Sequence, residues 1–503
     1  MLITKSQNLE NNYARSIIRY WGRKPYQLAS HYIEKYSKKG DVILDCFGGS
    51  GVFIKAALQL GRRGVYVDLN PFAYTVALTS VISYDRCEVL KEVNSILTKL
   101  KVKYKKRKKG KVYSVNPHEL FKVRCKCGRY NEISYAMVTH SYDLTGRKIT
   151  DEGLTKLGKR ILNCIKNGKS TYEQIIKRFS NYSRSRISRE INLLVKKGLL
   201  REHEKILQLR FLRQCKCGRT SIKPSNVEWK IKDPIFAADW YPKNRLCYNN
   251  KKTFLKKRNA DFIFEFFPNR TLAFLASLWK KINRRKITTN TRYILTLAFF
   301  ATLIRSSKMA RKSGGTWPVN SYWIPRVYLM RNPILTFENV IKEILRSPPS
   351  NNIKVGSLQE VLDKQKDAAF LLTDAMELQL PPNSIDYVIT DPPHTDDVQF
   401  FELSFFYTTW LRNELNFEKE VVINPKQEKG LDFYTSAISK ISKNIHNALK
   451  EGRHYTLILH GNNEDELYMI KSAVAKEGFR LVEEEHFDRY IVLTFKKVTV
   501  DQL

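Results

Sequence analysis

Cysteine is scarce in this sequence, and so are acidic residues and long apolar runs. Eight cysteines among 503 residues are few for a disulfide-stabilised extracellular protein. The polar start MLITKSQNLENN is not typical of a secretory signal. The longest apolar run, YILTLAFFATLI at 293–304, is too short to cross a bilayer, and we interpret it as a buried helix. These scarcities predict a cytoplasmic protein without a membrane span.

The shortage of acidic residues is uneven along the chain. The net charge is +39, and residues 101–260 alone hold 42 Lys and Arg against 12 Asp and Glu, a net charge of +30. A charge that served only solubility would be spread more evenly, so a localised one indicates a module that binds a polyanion. Nucleic acid is the expected polyanion. An anionic membrane surface is the weaker alternative, because no long apolar run accompanies the charge.

Strands and helices alternate at both ends of the sequence. At 40–73, the segments VILD, VFIKAALQLG and GVYVD predict a strand, a helix and a second strand, which form a βαβ unit. The rhythm resumes near Ala368 with the segments AAFLL, SIDYVIT and HYTLILHG. It closes with FRLVEEEHF and RYIVLTFKK, which predict an antiparallel pair.

We therefore predict an α/β fold in which a doubly wound, Rossmann-like sheet is interrupted by a large insertion. The predicted divisions are the N-terminal half of the core at 1–100, an inserted basic module at 101–260, a helical connecting segment packed on the core at 261–350, and the C-terminal half of the core at 351–503. Within the insertion, KVKYKKRKKGK at 101–111 is interpreted as a solvated linker.

The first βα turn is rich in glycine. It reads DCFGGSG at 45–51, so Asp45, Phe47, Gly49 and Gly51 form the pattern D-x-F-x-G-x-G. Such a turn can bind a dinucleotide, a phosphate or S-adenosylmethionine, or can simply reverse the chain.

Acids follow two of the predicted strands. Asp68 could accept hydrogen bonds from ribose hydroxyls, and Asp374 could accept one from an exocyclic amine. Helix capping is the alternative for each of them.

The segment DPPH at 391–394 follows another predicted strand. Pro392 and Pro393 have no N–H group, so the loop presents acceptors: the Asp391 carboxylate and a backbone carbonyl. Two adjacent acceptors suit an amino group with two hydrogens. They would localise the lone pair of an aromatic amine so that it can attack a methyl sulfonium. His394 could stack on a flipped base. A proline-rich turn capped by Asp391 is the alternative.

These motifs together resemble those of the amino-group DNA methyltransferases. A D-x-F-x-G-x-G loop, a long insertion and then D-P-P-aromatic follow the alpha order of Dam-like adenine methylases. The closer resemblance is to adenine-specific DNA methylases that contain a zinc ribbon. It rests on YWGRKPYQLASHYI at 20–33, DPPHTDDVQFFELSFFYTTWL at 391–411 and SSKMARKSGGTWPVNSYWIP at 306–325.

The resemblance implies specific roles. Phe47, Gly49 and Gly51 would line an S-adenosylmethionine pocket, with Asp68 on the ribose and Asp374 near the adenine. Asp391 and Pro392 would grip the target amine. The residues implied to lie at the methionine end are Tyr20, Trp21 and Lys24, although their spacing departs from the Dam-like pattern.

One position in the motif departs from the family. The fourth residue is usually tyrosine, and here it is His394. An imidazole stacks over less area and titrates near neutrality. We therefore expect turnover to vary with pH through this histidine.

Two short cysteine segments are near copies. VRCKCGR at 123–129 and RQCKCGR at 213–219 together predict a four-thiolate zinc site. Its expected ligands are Cys125, Cys127, Cys215 and Cys217. Two unrelated turns with free thiols are the alternative.

The segment between the cysteine pairs predicts a helix, a second helix capped at Ser170 or Thr171, a third helix from about Arg184 to Lys196, and then KKGLL. That order is typical of a winged helix-turn-helix. Arg184, Arg186 and Arg189 are the candidate DNA contacts. Contact with phosphates alone, or with a protein, is the alternative.

The favoured function is a DNA methyltransferase that acts on the adenine N6 amine of a specific duplex sequence. The alternatives are cytosine N4 methylation, RNA methylation and a non-catalytic DNA-binding regulator. No nuclease signature is visible, so the enzyme would act alone or beside a separate restriction or defence protein.

Overall fold

The structure of the chain is a computed structural model. It describes residues 17–498, apart from residue 19 and the segments 107–110, 147–153, 224–226, 233–234, 256–258, 311–320, 347–352, 394–397, 461–462 and 488. His394 and most of the 306–325 motif therefore lie outside the described residues.

The described residues form the following strands and helices. The strands are β1 (Val42–Asp45), β2 (Arg63–Asp68), β3 (Val102–Lys106), β4 (Val112–Val115), β5 (Lys122–Arg124), β6 (Tyr130–Leu144), β7 (Leu200–Phe211), β8 (Ser221–Ile222), β9 (Ile235–Ala237), β10 (Val327–Arg331), β11 (Val355–Gly356), β12 (Ala368–Leu372), β13 (Ile385–Thr390), β14 (Leu449–Leu459), β15 (Phe479–Phe487) and β16 (Tyr490–Lys497). The helices are α1 (Tyr26–Tyr36), α2 (Val52–Gln59), α3 (Pro71–Thr79), α4 (Arg86–Lys99), α5 (Lys156–Lys166), α6 (Tyr172–Arg178), α7 (Arg184–Lys196), α8 (Asn269–Asn283), α9 (Thr289–Ser306), α10 (Pro333–Arg346), α11 (Leu358–Leu362), α12 (Phe400–Leu411), α13 (Leu431–Ala448) and α14 (Glu464–Ala475).

An eight-stranded sheet joins the two ends of the chain. Its order is β11-β12-β2-β1-β13-β14-β16-β15. The pairs from β11 to β14 are parallel, and β16 is antiparallel to both of its neighbours. The predicted mixed α/β architecture is confirmed, and the closing pair of strands is antiparallel as expected. Parallel neighbours bring the carboxyl ends of β1, β2, β12 and β13 to one rim.

Both faces of this sheet are covered by helices. On one face, Ile43 and Ile389 pack with residues of α1 and α2. On the other face, Leu44 and Val388 pack with residues of α13 and α14. Every residue of β1 and of β13 is buried. This explains why these strands are almost continuously apolar rather than alternating.

The start of the insertion differs from the sequence-based expectation. The predicted solvated linker forms strand β3 over Val102–Lys106, which pairs with β4 and β9. Val102 and Tyr104 are buried, and the Lys103 N–H donates to Ser277 Oγ of α8 at 3.2 Å. The linker interpretation was wrong for these residues, because alternate apolar side chains in a lysine-rich run give the strand a buried face.

The insertion carries three helices between two long strands. Helices α5, α6 and α7 lie between β6 and β7, and these strands pair antiparallel from Ile133 to Leu144. A capping box at Thr171 starts α6. Strand β7, which follows α7, thus pairs with strand β6, which precedes α5.

The connecting segment consists of α8, α9, α10 and strand β10. Strand β10 pairs with β6, so one sheet contains strands from both sides of residue 260. The helices are largely buried. No helix among the described residues is long and apolar enough to span a membrane.

Candidate active site and metal centre

A cleft of about 860 Å³, open to solvent, lies at the carboxyl rim of the eight-stranded sheet. The predicted site residues that line it are Tyr20, Trp21, Lys24, Phe47, Gly49, Asp68, Asp374, Asp391, Pro392 and Pro393. Residues from distant parts of the chain meet in this cleft because β1, β2, β12 and β13 are neighbours in the sheet and each strand ends beside the cleft.

The Gly-rich turn follows β1 at the floor of the cleft. Gly49 and Gly51 have positive φ angles of 49° and 77°, which glycine adopts without strain. A Cβ on Gly48 would lie 2.1 Å from the Tyr66 ring, and one on Gly51 would lie 2.9 Å from Ala77 Cβ. The turn is therefore restricted to small residues, and its backbone is free to approach a ligand.

Asp68 shapes that turn from the end of β2. Its Oδ2 accepts a hydrogen bond from Gly49 N at 2.8 Å, and its Oδ1 accepts one from Asn70 N at 2.7 Å. Burial raises the pKa of Asp68 to about 6, against the opposing effect of these N–H donors. Asp68 is thus an ionised acceptor at the rim that holds the Gly-rich turn in position.

Asp45 lies beneath the cleft with its side chain fully buried. Its Oδ1 accepts hydrogen bonds from Thr390 Oγ1 at 2.7 Å and from Phe47 N at 3.2 Å. Burial raises the pKa of Asp45 to about 8. The residue connects the Gly-rich turn to the last residue of β13.

Asp374 both caps a turn and faces the cleft. Its Oδ1 accepts a hydrogen bond from Met376 N at 2.9 Å, at the start of a 3-10 turn over Ala375–Glu377. Its buried Oδ2 has no hydrogen-bond partner among the described residues, and Lys419 Nζ lies 3.6 Å away. Asp374 therefore caps a turn through Oδ1, and contact of Oδ2 with an exocyclic amine stays a prediction.

Asp391 and Lys24 form an ion pair at the centre of the cleft. Lys24 Nζ donates to Asp391 Oδ2 at 2.6 Å, and the lysine side chain is 1% exposed. The other oxygen, Asp391 Oδ1, is buried without a hydrogen-bond partner in the described structure. Burial raises the pKa of Asp391, and the Lys24 ammonium opposes that shift. The carboxylate has one oxygen held and one available.

The proline residues continue the rim after Asp391. The Pro393 carbonyl accepts a hydrogen bond from the Tyr434 hydroxyl at 3.0 Å, which fixes the loop against α13. Burial raises the pKa of Tyr434, so its hydroxyl stays protonated and donates. His394, the next residue, lies outside the described residues.

Two aromatic residues from the 20–33 motif close one side of the cleft. The Tyr20 ring stacks on Phe72 with a centroid distance of 6.1 Å and on Phe400 at 6.0 Å. A Cβ on Gly49 would lie 3.2 Å from the Tyr20 ring. Trp21 is buried beside Phe72. This motif is part of the cleft wall rather than only the start of α1.

Sequence reasoning missed Glu420, which also lines the cleft. Its Oε1 accepts a hydrogen bond from Phe401 N at 2.8 Å, and its Oε2 is buried with no hydrogen-bond partner in the described part of the chain. Burial raises the pKa of Glu420 to about 8. No local motif marks this glutamate, because only the fold carries it back from beyond α12 to the rim.

The structure brings the two cysteine pairs of the insertion together. Four Sγ atoms all lie within 4.8 Å of one another, those of Cys125, Cys127, Cys215 and Cys217. The Sγ atoms are 3.7 Å apart in the pair Cys125–Cys217 and 3.5 Å apart in the pair Cys127–Cys215. A tetrahedral zinc site with bonds of about 2.3 Å requires sulfurs about 3.8 Å apart. The cluster fits such an ion.

The two cysteine turns have the same backbone geometry. Gly128 N donates to Cys125 O at 2.8 Å, and Gly218 N donates to Cys215 O at 2.8 Å. The φ angles of the two glycines are 89° and 85°. The sequence repeat therefore corresponds to a structural repeat in which each turn presents two thiols.

The three arginines of α7 lie at the surface. Ile187, Ile191 and Leu194 bury one side of the helix, and the exposed residues include Arg184, Arg186 and Arg189. The Arg186 guanidinium lies 5.2 Å from the Tyr182 ring centroid. These positive groups are accessible to a polyanion.

Comparison with known proteins adds two sequence matches. The model of the DNA methylase family matches residues 4–79, a range that contains Lys24, the Gly-rich turn and Asp68. The type II methyltransferase M.MjaII of Methanocaldococcus jannaschii is 26% identical over 96 residues, which are 19% of this chain and 18% of that protein. The match thus spans less than a fifth of the relative's length.

Among solved structures, the chain is similar to an S-adenosylmethionine dependent methyltransferase from Mesorhizobium loti, with 9% identity, a TM-score of 0.16, and coverage of 31% of this chain and 84% of that chain. It is also similar to a methyltransferase from Pyrococcus furiosus, with 12% identity, a TM-score of 0.16, and coverage of 29% and 61%. The two sequence matches support an amino-group DNA methyltransferase.

Proposed function

We propose that this protein is an S-adenosylmethionine-dependent DNA methyltransferase that methylates the N6 amine of adenine in duplex DNA after flipping the base. One observation carries the proposal. Asp391 presents a buried oxygen without a hydrogen-bond partner among the described residues, in the same cleft as the Gly-rich turn, Asp68 and Asp374. The family match supports the same class of reaction.

The cleft suits the proposed cofactor. Asp68 would accept from the ribose hydroxyls, and the unpaired Oδ2 of Asp374 would accept from the adenine amine. Phe47 and Gly49 of the Gly-rich turn line the same cleft, so the turn's backbone would lie against the bound molecule. Tyr20 and Trp21 would pack against the bound molecule. S-adenosylmethionine supplies an electrophilic methyl group when bound.

Asp391 and Pro392 would activate the target amine. Asp391 Oδ1 and the Pro392 carbonyl can each accept one N–H hydrogen bond, which localises the nitrogen lone pair away from the ring. The amine would then take the methyl group that bound S-adenosylmethionine supplies, and the electron pair of the broken carbon–sulfur bond would stay on the sulfur. Asp391 Oδ1 would accept the proton that the methylated amine releases, which returns the exocyclic nitrogen to its neutral state.

We assign Lys24 a role in addition to the one that the family resemblance implies. It pairs with the Asp391 carboxylate at 2.6 Å, and its contact with the methionine end of the cofactor stays a prediction. By holding Oδ2, Lys24 would orient Oδ1 toward the amine. Its positive charge would also keep the buried carboxylate ionised, and therefore an acceptor.

His394 stays the proposed stacking residue for the flipped base. If its ionisation affects turnover, the pH–rate profile between about pH 5.5 and 8.5 differs between the parent and His394→Tyr. Identical profiles would remove the ionisation effect and leave stacking alone.

The insertion would recognise the DNA. We assign a structural zinc ion to Cys125, Cys127, Cys215 and Cys217, and DNA contacts to the three arginines of α7 within a winged helix-turn-helix unit. A zinc ion bound by four thiolates would link the turn between β5 and β6 to the turn that follows β7. This link would position the three-helix unit on the enzyme. A chimera with a foreign insertion that methylates the original sites would contradict target recognition by this region.

The decisive experiment identifies the modified base. The protein is incubated with duplex DNA, or with RNA, and labelled S-adenosylmethionine, and the nucleosides are separated by mass spectrometry. We expect N6-methyl-2′-deoxyadenosine from the DNA, and no product from the matched Asp391→Ala variant. Detection of N4-methylcytosine in DNA, or of a methylated base in RNA, would contradict methylation of adenine in DNA and identify the actual substrate. Binding of DNA without any methyl transfer would favour a non-catalytic regulator.

A further inference from the structure

A groove of about 1760 Å³, open to solvent, lies beside the cleft. Its residues Pro71 and Leu372 are close in sequence to Asn70 and Asp374, which line the cleft. The two depressions therefore adjoin at the ends of β2 and β12. The groove is unusually aromatic, and its aromatic residues are Tyr74, Trp240, Trp279, Tyr293 and Trp410.

The groove is also positively charged. Its charged lining residues are Lys280, Arg284, Arg292 and Arg412, and none of its described lining residues is acidic. Lys280 is paired with Asp239 at 2.5 Å, and Arg292 donates to the backbone carbonyl of Arg285 at 2.7 Å. Arg284 and Arg412 are exposed, so they are the charges available to an anionic ligand.

Trp240 forms an open stacking surface in this groove. Its side chain is 41% exposed, and the Arg412 guanidinium lies 4.1 Å from its ring centroid. Trp410 meets Trp240 edge to face at 6.3 Å and 88°. The buried indole N–H of Trp410 has no hydrogen-bond partner in the described structure. The groove thus combines an exposed flat ring with a stacked cation.

We propose that this groove binds unpaired nucleotides of the DNA substrate, with a base stacked on the Trp240–Arg412 pair and the phosphates near Arg284. The inference rests on the proposed function for its choice of DNA, and it adds a second contact surface outside the cleft and the insertion. An exposed aromatic ring beside arginine, as in Trp240 and Arg412, is a feature that binds single strands, because every base has a face that can stack.

The charge and the rings together favour this occupant over others. A duplex keeps its bases stacked internally, so its phosphates would use the arginines and leave Trp240 exposed. An apolar peptide would gain nothing from Arg284 and Arg412. Base flipping requires local opening of the duplex, so unpaired nucleotides would be present next to the cleft during the proposed reaction.

The test measures binding of a short labelled single-stranded deoxyoligonucleotide to the full chain by fluorescence anisotropy, without S-adenosylmethionine. We expect Trp240→Ala to weaken binding about tenfold and Trp240→Phe to retain most of it, because phenylalanine still stacks. Arg412→Gln should weaken binding because the stacked cation is lost. Arg284→Gln, which removes the proposed phosphate contact, should lower the slope of log affinity against log salt by about one. The matched control is Tyr468→Ala, which removes another exposed ring and should change nothing.

Three outcomes would overturn the proposal. These are unchanged affinity in both Trp240→Ala and Arg412→Gln, tighter binding of an RNA strand of the same sequence, and tighter binding of free nucleotide than of the strand. Thermal unfolding and S-adenosylmethionine binding of each variant exclude misfolding as the cause of a loss. Because the assay needs no methyl transfer, a chain that binds the strand but modifies no base would refute the proposed enzyme and not the groove.

Discussion

The cleft and the inserted module are assembled in opposite ways. The cleft gathers Lys24, Asp68, Asp391 and Glu420 from segments far apart in the chain, and strand order together with helix packing brings them together. The cysteine cluster uses two copies of one short turn with the same hydrogen bonds. A site built from repeated local turns is visible in the sequence, whereas a site built by strand order is visible only in part.

The two regions also treat charge differently. Burial raises the pKa of Asp45, Asp391 and Glu420 around the cleft, while the arginines of α7 are exposed. Methyl transfer to a weak nucleophile gains from acceptors that are fixed and desolvated. Binding of a polyanion gains from cations that phosphates can reach. The comparison predicts that changes in one region alter chemistry and changes in the other alter DNA affinity.

The largest expected effect separates the two regions outright. Replacing Cys127 and Cys217 together by serine should abolish zinc binding, because two of four thiolates are lost. Zinc content, measured by atomic emission, should fall from about one ion per chain to none. DNA affinity should fall with it, while S-adenosylmethionine binding is kept. The same change at Cys87 and Cys247 is the control, and a zinc content that survives in the Cys127/Cys217 variant would contradict the site.

Lys24→Met should produce the next largest effect. Burial raises the pKa of Asp391 and the Lys24 ammonium opposes that shift, so loss of the ammonium should raise the pKa of Asp391 further. A protonated Asp391 cannot accept a hydrogen bond from the target amine through its protonated oxygen. The acid limb of the kcat profile should therefore move to higher pH, with activity reduced about 100-fold below the new pKa and recovering as pH rises.

The pH profile distinguishes this role from a structural one. Lys35→Met removes another lysine of an ion pair, with Glu483, and should leave the acid limb unchanged. A Lys24→Met variant that loses activity equally at every pH would show that the lysine does not control Asp391.

Asp374→Asn should have a smaller effect, confined to the cofactor. Asparagine still caps the turn but replaces the unpaired Oδ2 by an amide N–H₂ group, which cannot accept from an adenine amine. We expect S-adenosylmethionine binding, measured by calorimetry, to weaken about tenfold, with DNA affinity unchanged. Asp85→Asn changes another capping aspartate and serves as the control. Equal affinity in Asp374→Asn would remove the adenine contact.

The smallest effects are expected on α7. Glutamine at Arg184, Arg186 or Arg189 should each weaken duplex binding several-fold and lower the salt slope by about one. A variant that contacts a base rather than a phosphate should also relax the methylation sequence. Arg480→Gln, at an exposed position of β15, is the control. If the three variants bind duplex DNA with the affinity and salt dependence of the parent, the DNA does not contact α7.

Much of the architecture was predictable because it depends on local pattern. Apolar runs such as VILD and IDYVIT predicted buried strands, and the glycine-rich segment predicted a turn, in which Gly49 and Gly51 have positive φ angles. The cysteine repeat predicted a cluster that the fold forms. The error at Val102–Lys106 arose because a lysine-rich run outweighed the alternation of two buried side chains.

The sequence by itself determined which chemical groups are present: an acid before two prolines, a glycine-rich turn, paired thiols and a basic insertion. Each of these features depends only on residues that are close together in the chain. Only the tertiary structure decided which groups meet. It placed Lys24 on Asp391, brought Glu420 to the rim and set Trp240 beside Arg412. These contacts depend on strand order and helix packing between distant segments, and no spacing along the chain encodes them.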